Sequence, residues 1–113
     1  MSQPLRGEIW LVTLDPTVGR EQAGRRPALI ASDDLFNQSH AELVVVLPIT
    51  SKGKGIRSHV PVSPPEGGLS VPSYIKCEDV RSISIQRFGR RLGKITAQTM
   101  NEVENRLRII LAL

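Results

Sequence analysis

The chain has 113 residues, a length suited to one domain around one core. Apolar residues make up 40%, which excludes a disordered tail. Lys and Arg number 15 against 11 Asp and Glu, a formal net charge of +4, so an anionic partner such as RNA or DNA is favoured.

The single cysteine, Cys77, excludes an internal disulfide framework and reads as a buried, inert thiol in an alternating run. No segment has the apolar length of a signal peptide or a membrane span, so a soluble, cytoplasmic protein is expected. His40 and His59 lie far apart with no ligand spacing around them, and no metal is expected. Asp33-Asp34 reads as a helix start, and Glu78-Asp79 as a strand end.

Glu8–Leu14, rich in β-branched and aromatic residues and stopped by Asp15-Pro16, predicts a strand. A loop over 15–26 follows. Ala28–Ala31 is a short apolar strand behind Pro27. Ser32 is expected to cap a brief helix through about Asn37. Glu42–Ile49, the most apolar run, predicts a central strand. Ser51–Ser58 is glycine- and cation-rich and reads as a mobile loop.

His59–Val62 is a short strand, and Ser63–Ser73 a turn-rich connection. Tyr74–Cys77 and Val80–Ile85 are two more short strands, and Arg87–Lys94 a basic connection. Thr96 opens one long helix with Met100, Val103, Leu107 and Ile110 on one face. Glu102 with Arg106, and Glu104 with Arg108, are i,i+4 pairs in the favourable order. These elements predict a mainly β fold: a small, curled, mostly antiparallel sheet or barrel of five to seven strands, capped by the C-terminal helix.

The loop Val18–Pro27 concentrates chemistry. It presents Glu21, Gln22, Arg25 and Arg26 at a sheet edge between two glycines and a proline. Pro27 biases Arg26 toward an extended conformation, so Arg25 and Arg26 point to opposite sides of the chain. Which of them faces a groove is open at this level. Thr50 ends the central strand where the basic loop begins. RNA cleavage without metal needs help in deprotonating the ribose 2′-OH, in stabilising charge on phosphorus, and in protonating the leaving 5′-oxygen. An arginine supplies fixed donors for the second task, and a threonine hydroxyl can donate to a phosphoryl oxygen. His59, after the basic loop, is a candidate base, although a lone histidine is more often structural. Trp10 and Phe88 can stack on bases, but a core role suits Trp10 better.

The ordered set Arg6-Gly7-Glu8-Ile9-Trp10, Leu14-Asp15-Pro16, Gly19, Glu21-Gln22, Gly24 and Arg26-Pro27-Ala28-Leu29 closely resembles the N-terminal half of the MazF/PemK-type toxins of bacterial toxin–antitoxin modules. The likeness continues through Asp34-Leu35-Phe36-Asn37, Pro48-Ile49-Thr50-Ser51 and Val80-Arg81-Ser82-Ile83, and covers essentially the whole chain. It implies one SH3-like domain over residues 1–113, a homodimer, and a metal-independent endoribonuclease, or mRNA interferase. That enzyme cuts single-stranded RNA at a short sequence, leaving a 2′,3′-cyclic phosphate and a 5′-hydroxyl and inhibiting translation. The resemblance places catalysis on Arg26 and Thr50, with Glu21 as a loop acid of less settled role. It places RNA contacts on Gln22 and Arg25 in the first loop, on Ser51, Lys52, Lys54 and Arg57 in the second, and on His59 and Arg81. It also implies an acidic antitoxin that covers the RNA groove. A gyrase poison on the same scaffold, like the CcdB-type toxins, lacks the Arg-Pro and Thr pair. An antitoxin-binding relative that has lost activity is the third possibility.

Overall fold

Alternation of side chains in Glu8–Val12 sends Ile9 to one buried cluster, and Trp10 and Val12 to another. This strand, β1, is therefore buried on both faces of a curled sheet. The computed structural model describes residues 3–14 and 24–113. Within these, β2 spans Arg26–Ile30 and β3 Leu43–Thr50. The following strands are β4 (His59–Val62), β5 (Ser73–Lys76), β6 (Arg81–Ser84) and β7 (Phe88–Lys94). The order across the sheet is β4-β5-β3-β2-β1-β7, with β6 also pairing β3. All pairings are antiparallel, and β4 and β7 at the two ends do not pair. The expected sheet or barrel is thus an open, curled sheet of seven strands.

The long apolar run of β3 has a physical reason. Its N-terminal half pairs β6 from Leu43 to Val46, and its end pairs β5 at Ile49 and Thr50. Val44 and Val46 fill one cluster with Trp10, Ala28 and Ile83, whereas Leu47 and Ile49 fill the other with Ile9, Leu29 and Val103. A strand serving two cores carries little polar alternation.

Helix α1 is one turn, Asp34–Asn37, and its cap is Asp33, whose carboxylate accepts from the Leu35 amide at 2.9 Å. The expected cap, Ser32, instead accepts from the Val45 amide at 2.9 Å and donates to Asn37 Oδ1, tying the turn to β3. Helix α2, Ala97–Leu111, is capped by Thr96 as expected, its hydroxyl accepting from the Thr99 amide at 3.1 Å. Met100 and Val103 are buried against the sheet, while Ile110 projects from the last turn into solvent.

Of residues Arg87–Lys94, expected as a connection, Phe88–Lys94 form strand β7 on the free edge of β1. Two glycines and four cations hide the strand pattern, and its pairing is irregular on both sides of Trp10. What holds β7 is backbone contact. The 3-10 turn Glu66–Gly68 lies directly on it: a β-carbon on Gly68 would sit 2.0 Å from the Leu92 carbonyl oxygen, and one on Gly93 2.5 Å from the Gly67 carbonyl carbon. Gly68 also adopts a φ of 73°, which only glycine takes freely. The segment after this turn thereby becomes a wall facing β7.

Candidate active site

Arg26 opens β2 and Thr50 closes β3. The β2–β3 register pairs Ala28 with Pro48, and carried two residues outward it sets Arg26 across from Thr50. Side-chain alternation puts both on the face that bears Ala28 and Pro48. Pro27 starts the apolar part of β2 and lies opposite Leu11 of β1, so Arg26 sits at the mouth of the sheet rather than inside it. Both residues line two adjoining grooves, and the pair forms the crest between them.

The larger groove, about 580 Å³, has an apolar floor of Leu11, Pro27, Ile49, Leu69 and Leu92. Its rim carries Ser51, Lys52, Ser70 and Arg90. The smaller, about 300 Å³, is polar and is lined on its far side by Lys76, Asp79 and Arg81. Lys76 Nζ lies 3.7 Å from Asp79 Oδ2, and Arg81 Nη2 donates to the Leu14 carbonyl at 2.7 Å.

The described cations differ in their partners. Arg6, Arg91, Arg106 and Arg108 are paired with carboxylates at 2.9, 2.8, 2.9 and 3.8 Å. Arg26, Lys52 and Arg90 make no side-chain hydrogen bond or ion pair with any described residue. No described carboxylate is paired with their charge, and such donors suit an anionic ligand. The Thr50 hydroxyl accepts from the Lys52 amide at 3.1 Å, which fixes its oxygen and leaves its proton to donate into the crest.

Arg25 lies across Gly89 of β7, where a β-carbon would stand 2.3 Å from its Nη1, and it lines neither groove. Of the two adjacent arginines, Arg26 is the one that lines the grooves. In the second loop, Ser51 and Lys52 reach the larger groove. Gly53 passes over the Tyr74 ring, where a β-carbon would come within 2.7 Å of it. Lys54 and Arg57 are exposed further along, and the Arg57 carbonyl accepts from Arg106 Nε at 3.0 Å, so this end of the loop rests beside α2. Arg81 is half-buried, its side chain spanning to Leu14 at the smaller groove.

His59 is the correction among the expected RNA contacts. Its side chain is 5% exposed, with Nε2 3.0 Å from Glu78 Oε2, and it lines neither groove. Glu78 also accepts from Ser58 Oγ at 2.7 Å. Burial raises the Glu78 carboxyl, but the Ser58 and His59 contacts outweigh it and hold the group below the usual carboxylate range. A ring so enclosed is held within the β4–β5 edge. Glu21 and Gln22 lie outside the described residues.

Sequence reasoning did not single out Arg90 or Lys76. Arg90 sits on the strand that glycines concealed, and only the neighbouring alternation of Arg90 and Leu92 against Arg91 hinted at it. Trp10 is core, as expected: it is 4% exposed and meets Phe88 edge-on at 5.8 Å. Cys77 is fully buried, and burial, helped by the charge of Glu78, pushes its thiol up to about 11. Among the described residues, no three His, Cys, Asp or Glu side chains gather as a metal ion requires, and no helix is long and apolar enough to cross a membrane.

Residues 5–111 match the family model for the PemK-like, MazF-like toxin of type II toxin–antitoxin systems. The chain is 44% identical over 108 residues to endoribonuclease PemK of Escherichia coli, an alignment covering 94% of this chain and 80% of that protein. A MazE–MazF crystal structure from Deinococcus radiodurans superposes with a TM-score of 0.85 at 28% identity, covering 100% of this chain and 99% of that one. A mycobacterial endoribonuclease in complex with its cognate antitoxin superposes with a TM-score of 0.79 at 27% identity, covering 97% of this chain and 96% of that one. The open seven-stranded sheet, the capping helix and the Arg26–Thr50 crest thus occur in a chain that belongs to the PemK-like, MazF-like toxin family.

Proposed function

We propose that this protein is an endoribonuclease toxin that cuts single-stranded RNA at the Arg26–Thr50 crest, without a metal. The observation that carries this reading is the crest itself. Two residues from different strands meet at the junction of two grooves, beside cations that no described carboxylate neutralises.

The ribose 2′-oxygen loses its proton and attacks phosphorus, forming the P–O2′ bond as the P–O5′ bond breaks and the leaving 5′-oxygen takes a proton from solvent water. The products are a 2′,3′-cyclic phosphate and a 5′-hydroxyl. Arg26 offers a fixed fork of donors to the oxygens that gain charge, and Thr50 donates its proton to one of them. Glu21 is the candidate to accept the 2′-OH proton or to position Arg26. Gln22, Arg25, Ser51, Lys52, Lys54, Arg57 and Arg81 supply affinity for the phosphate chain; buried His59 is withdrawn from that set. The protein acts in the cytoplasm as a homodimer, and an acidic antitoxin competes with RNA because both are anionic chains.

The test is incubation of the purified protein with a long single-stranded RNA in EDTA, followed by mapping of the ends. Discrete cuts with 5′-hydroxyl ends are expected. Intact RNA, together with tight gyrase binding, would overturn the reading in favour of a non-enzymatic toxin.

A further inference from the structure

We infer that His59 and Glu78 are positioning residues for RNA: together they anchor the cationic loop 51–58, so that Ser51 and Lys52 are presented beside the Arg26–Thr50 crest. This deepens the proposed function and rests on RNA being the substrate. Three observations carry it.

The first is the anchor. Glu78, two residues past the end of β5, accepts from two consecutive residues where the loop meets β4: Ser58 Oγ at 2.7 Å and His59 Nε2 at 3.0 Å. The Ser58 carbonyl accepts from the Cys77 amide at 3.3 Å, and the Arg57 carbonyl from Arg106 Nε at 3.0 Å. Three successive residues are thereby tied to the end of β5 and to α2. The stretch before them, with Gly53 and Gly55 between lysines, carries no such ties of its own sequence. A loop ordered in advance loses less freedom when it meets its ligand.

The second is the path from the anchor to the crest. The β4–β5 register sets His59 opposite Lys76 and Pro61 opposite Tyr74, so His59 and Tyr74 share one face. Their ring centroids lie 6.4 Å apart. Gly53 passes so close over the Tyr74 ring that a β-carbon would come within 2.7 Å of it. Tyr74 pairs in turn with Thr50, whose hydroxyl accepts from the Lys52 amide at 3.1 Å. The two ends of the loop are therefore joined through Tyr74, one at the anchor and one at the crest.

The third is the chemistry of the ring. A carboxylate only accepts, so His59 Nε2 carries the proton that faces Glu78. His59 Nδ1 is buried and has no hydrogen-bond partner. The ring thus uses a single nitrogen, and it lines neither groove, so it meets no reacting atom. What the fold needs at this position is one donor at the distance of Nε2.

The experiment measures kcat and KM on single-stranded RNA, and hydrogen exchange of residues 51–58, for wild type, His59→Gln, His59→Asn, Ser58→Ala and Glu78→Ala. Glutamine carries an amide N–H at the reach of Nε2, whereas asparagine carries one only at the reach of Nδ1. His59→Gln is expected to keep KM and loop exchange close to wild type. His59→Asn and Glu78→Ala are expected to raise KM by about tenfold, the scale of one hydrogen bond to a charged group, with kcat little changed and loop exchange faster. Ser58→Ala, at an exposed site that leaves the core intact, is expected to shift KM and exchange in the same direction by less. Unchanged KM in Glu78→Ala and Ser58→Ala would make the pair merely structural and overturn the inference. A collapse of kcat in His59→Gln would overturn it in favour of a catalytic histidine. If no RNA is cut, the activity reading fails, and RNA affinity with loop exchange in the same variants still decides the anchor. Far-ultraviolet circular dichroism checks the fold of each variant.

Discussion

Arg26 and Thr50 occupy the outward ends of two neighbouring strands, and the β2–β3 register sets them across from each other at the junction of two grooves. Neither is held by a core contact that its truncation would empty: Arg26 is exposed and Thr50 half-buried. Arg26→Ala and Thr50→Ala are each expected to lower the cleavage rate by about 10²–10³, the cost of one lost charge-stabilising donor. Thermal stability is expected to change by no more than about 0.5 kcal/mol, as for ordinary surface substitutions. Thr50→Ser keeps the hydroxyl and is expected to retain most of the rate. Single-turnover cleavage with a melting curve for each variant checks the set.

Arg25 provides the contrast within one dipeptide. Its guanidinium lies over Gly89 and lines neither groove. Arg25→Ala is expected to weaken RNA binding and reduce its salt slope by about 1, as for one lost phosphate contact, while cutting persists. Binding titrations across a salt series test this. An inactive Arg25→Ala beside an active Arg26→Ala would reverse the assignment.

Glu8 links stability to pH. Its carboxylate accepts from the Leu5 amide, Trp10 Nε1 and Arg91 Nε at 2.9, 2.9 and 2.8 Å. Burial raises its pKa, but these bonds and the Arg91 charge outweigh burial and hold it below 4.5. A carboxylate lowered by folding contributes stability that is full above its unfolded value and is lost as pH falls through the folded one. Glu8→Gln is therefore expected to destabilise the protein at neutral pH, with the gap to wild type narrowing as pH drops below 4.5. At pH 7, Glu8→Ala is expected to cost about 1–3 kcal/mol, because it orphans the Trp10 indole N–H. Urea unfolding at several pH values measures both.

The Gly68–Leu92 contact admits no side chain. Gly68→Ala is expected to cost more than about 1 kcal/mol, because it adds strain at positive φ as well as a clash with backbone. It is also expected to raise KM for RNA more than it lowers kcat, since it displaces the groove wall and not the crest. Urea unfolding and steady-state kinetics separate the two effects.

Cys77 is expected to resist alkylation in the folded protein. Its thiol is fully buried and pushed up to about 11, so thiolate at neutral pH is scarce. Iodoacetamide labelling should proceed only at the rate of unfolding, and rapid labelling of native protein would contradict the buried placement.

By itself, the sequence determined the mainly β class, the position of nearly every strand, the Thr96-capped helix and the buried state of Trp10 and Cys77. These follow from local signals: alternation, helical spacing, proline and capping residues. The ordered motifs also named Arg26 and Thr50 as a pair. Only the tertiary structure decided that Phe88–Lys94 is a strand, because its stability comes from pairing with β1 and from the glycine backbone of a distant turn. Only it enclosed His59 with Glu78, brought Arg90 to the groove and laid Arg25 over Gly89. Each of those outcomes depends on which segments become neighbours across the sheet. A residue's type and immediate surroundings carry no record of that choice; the curl of the sheet makes it, by burying two clusters on opposite faces of the same strands.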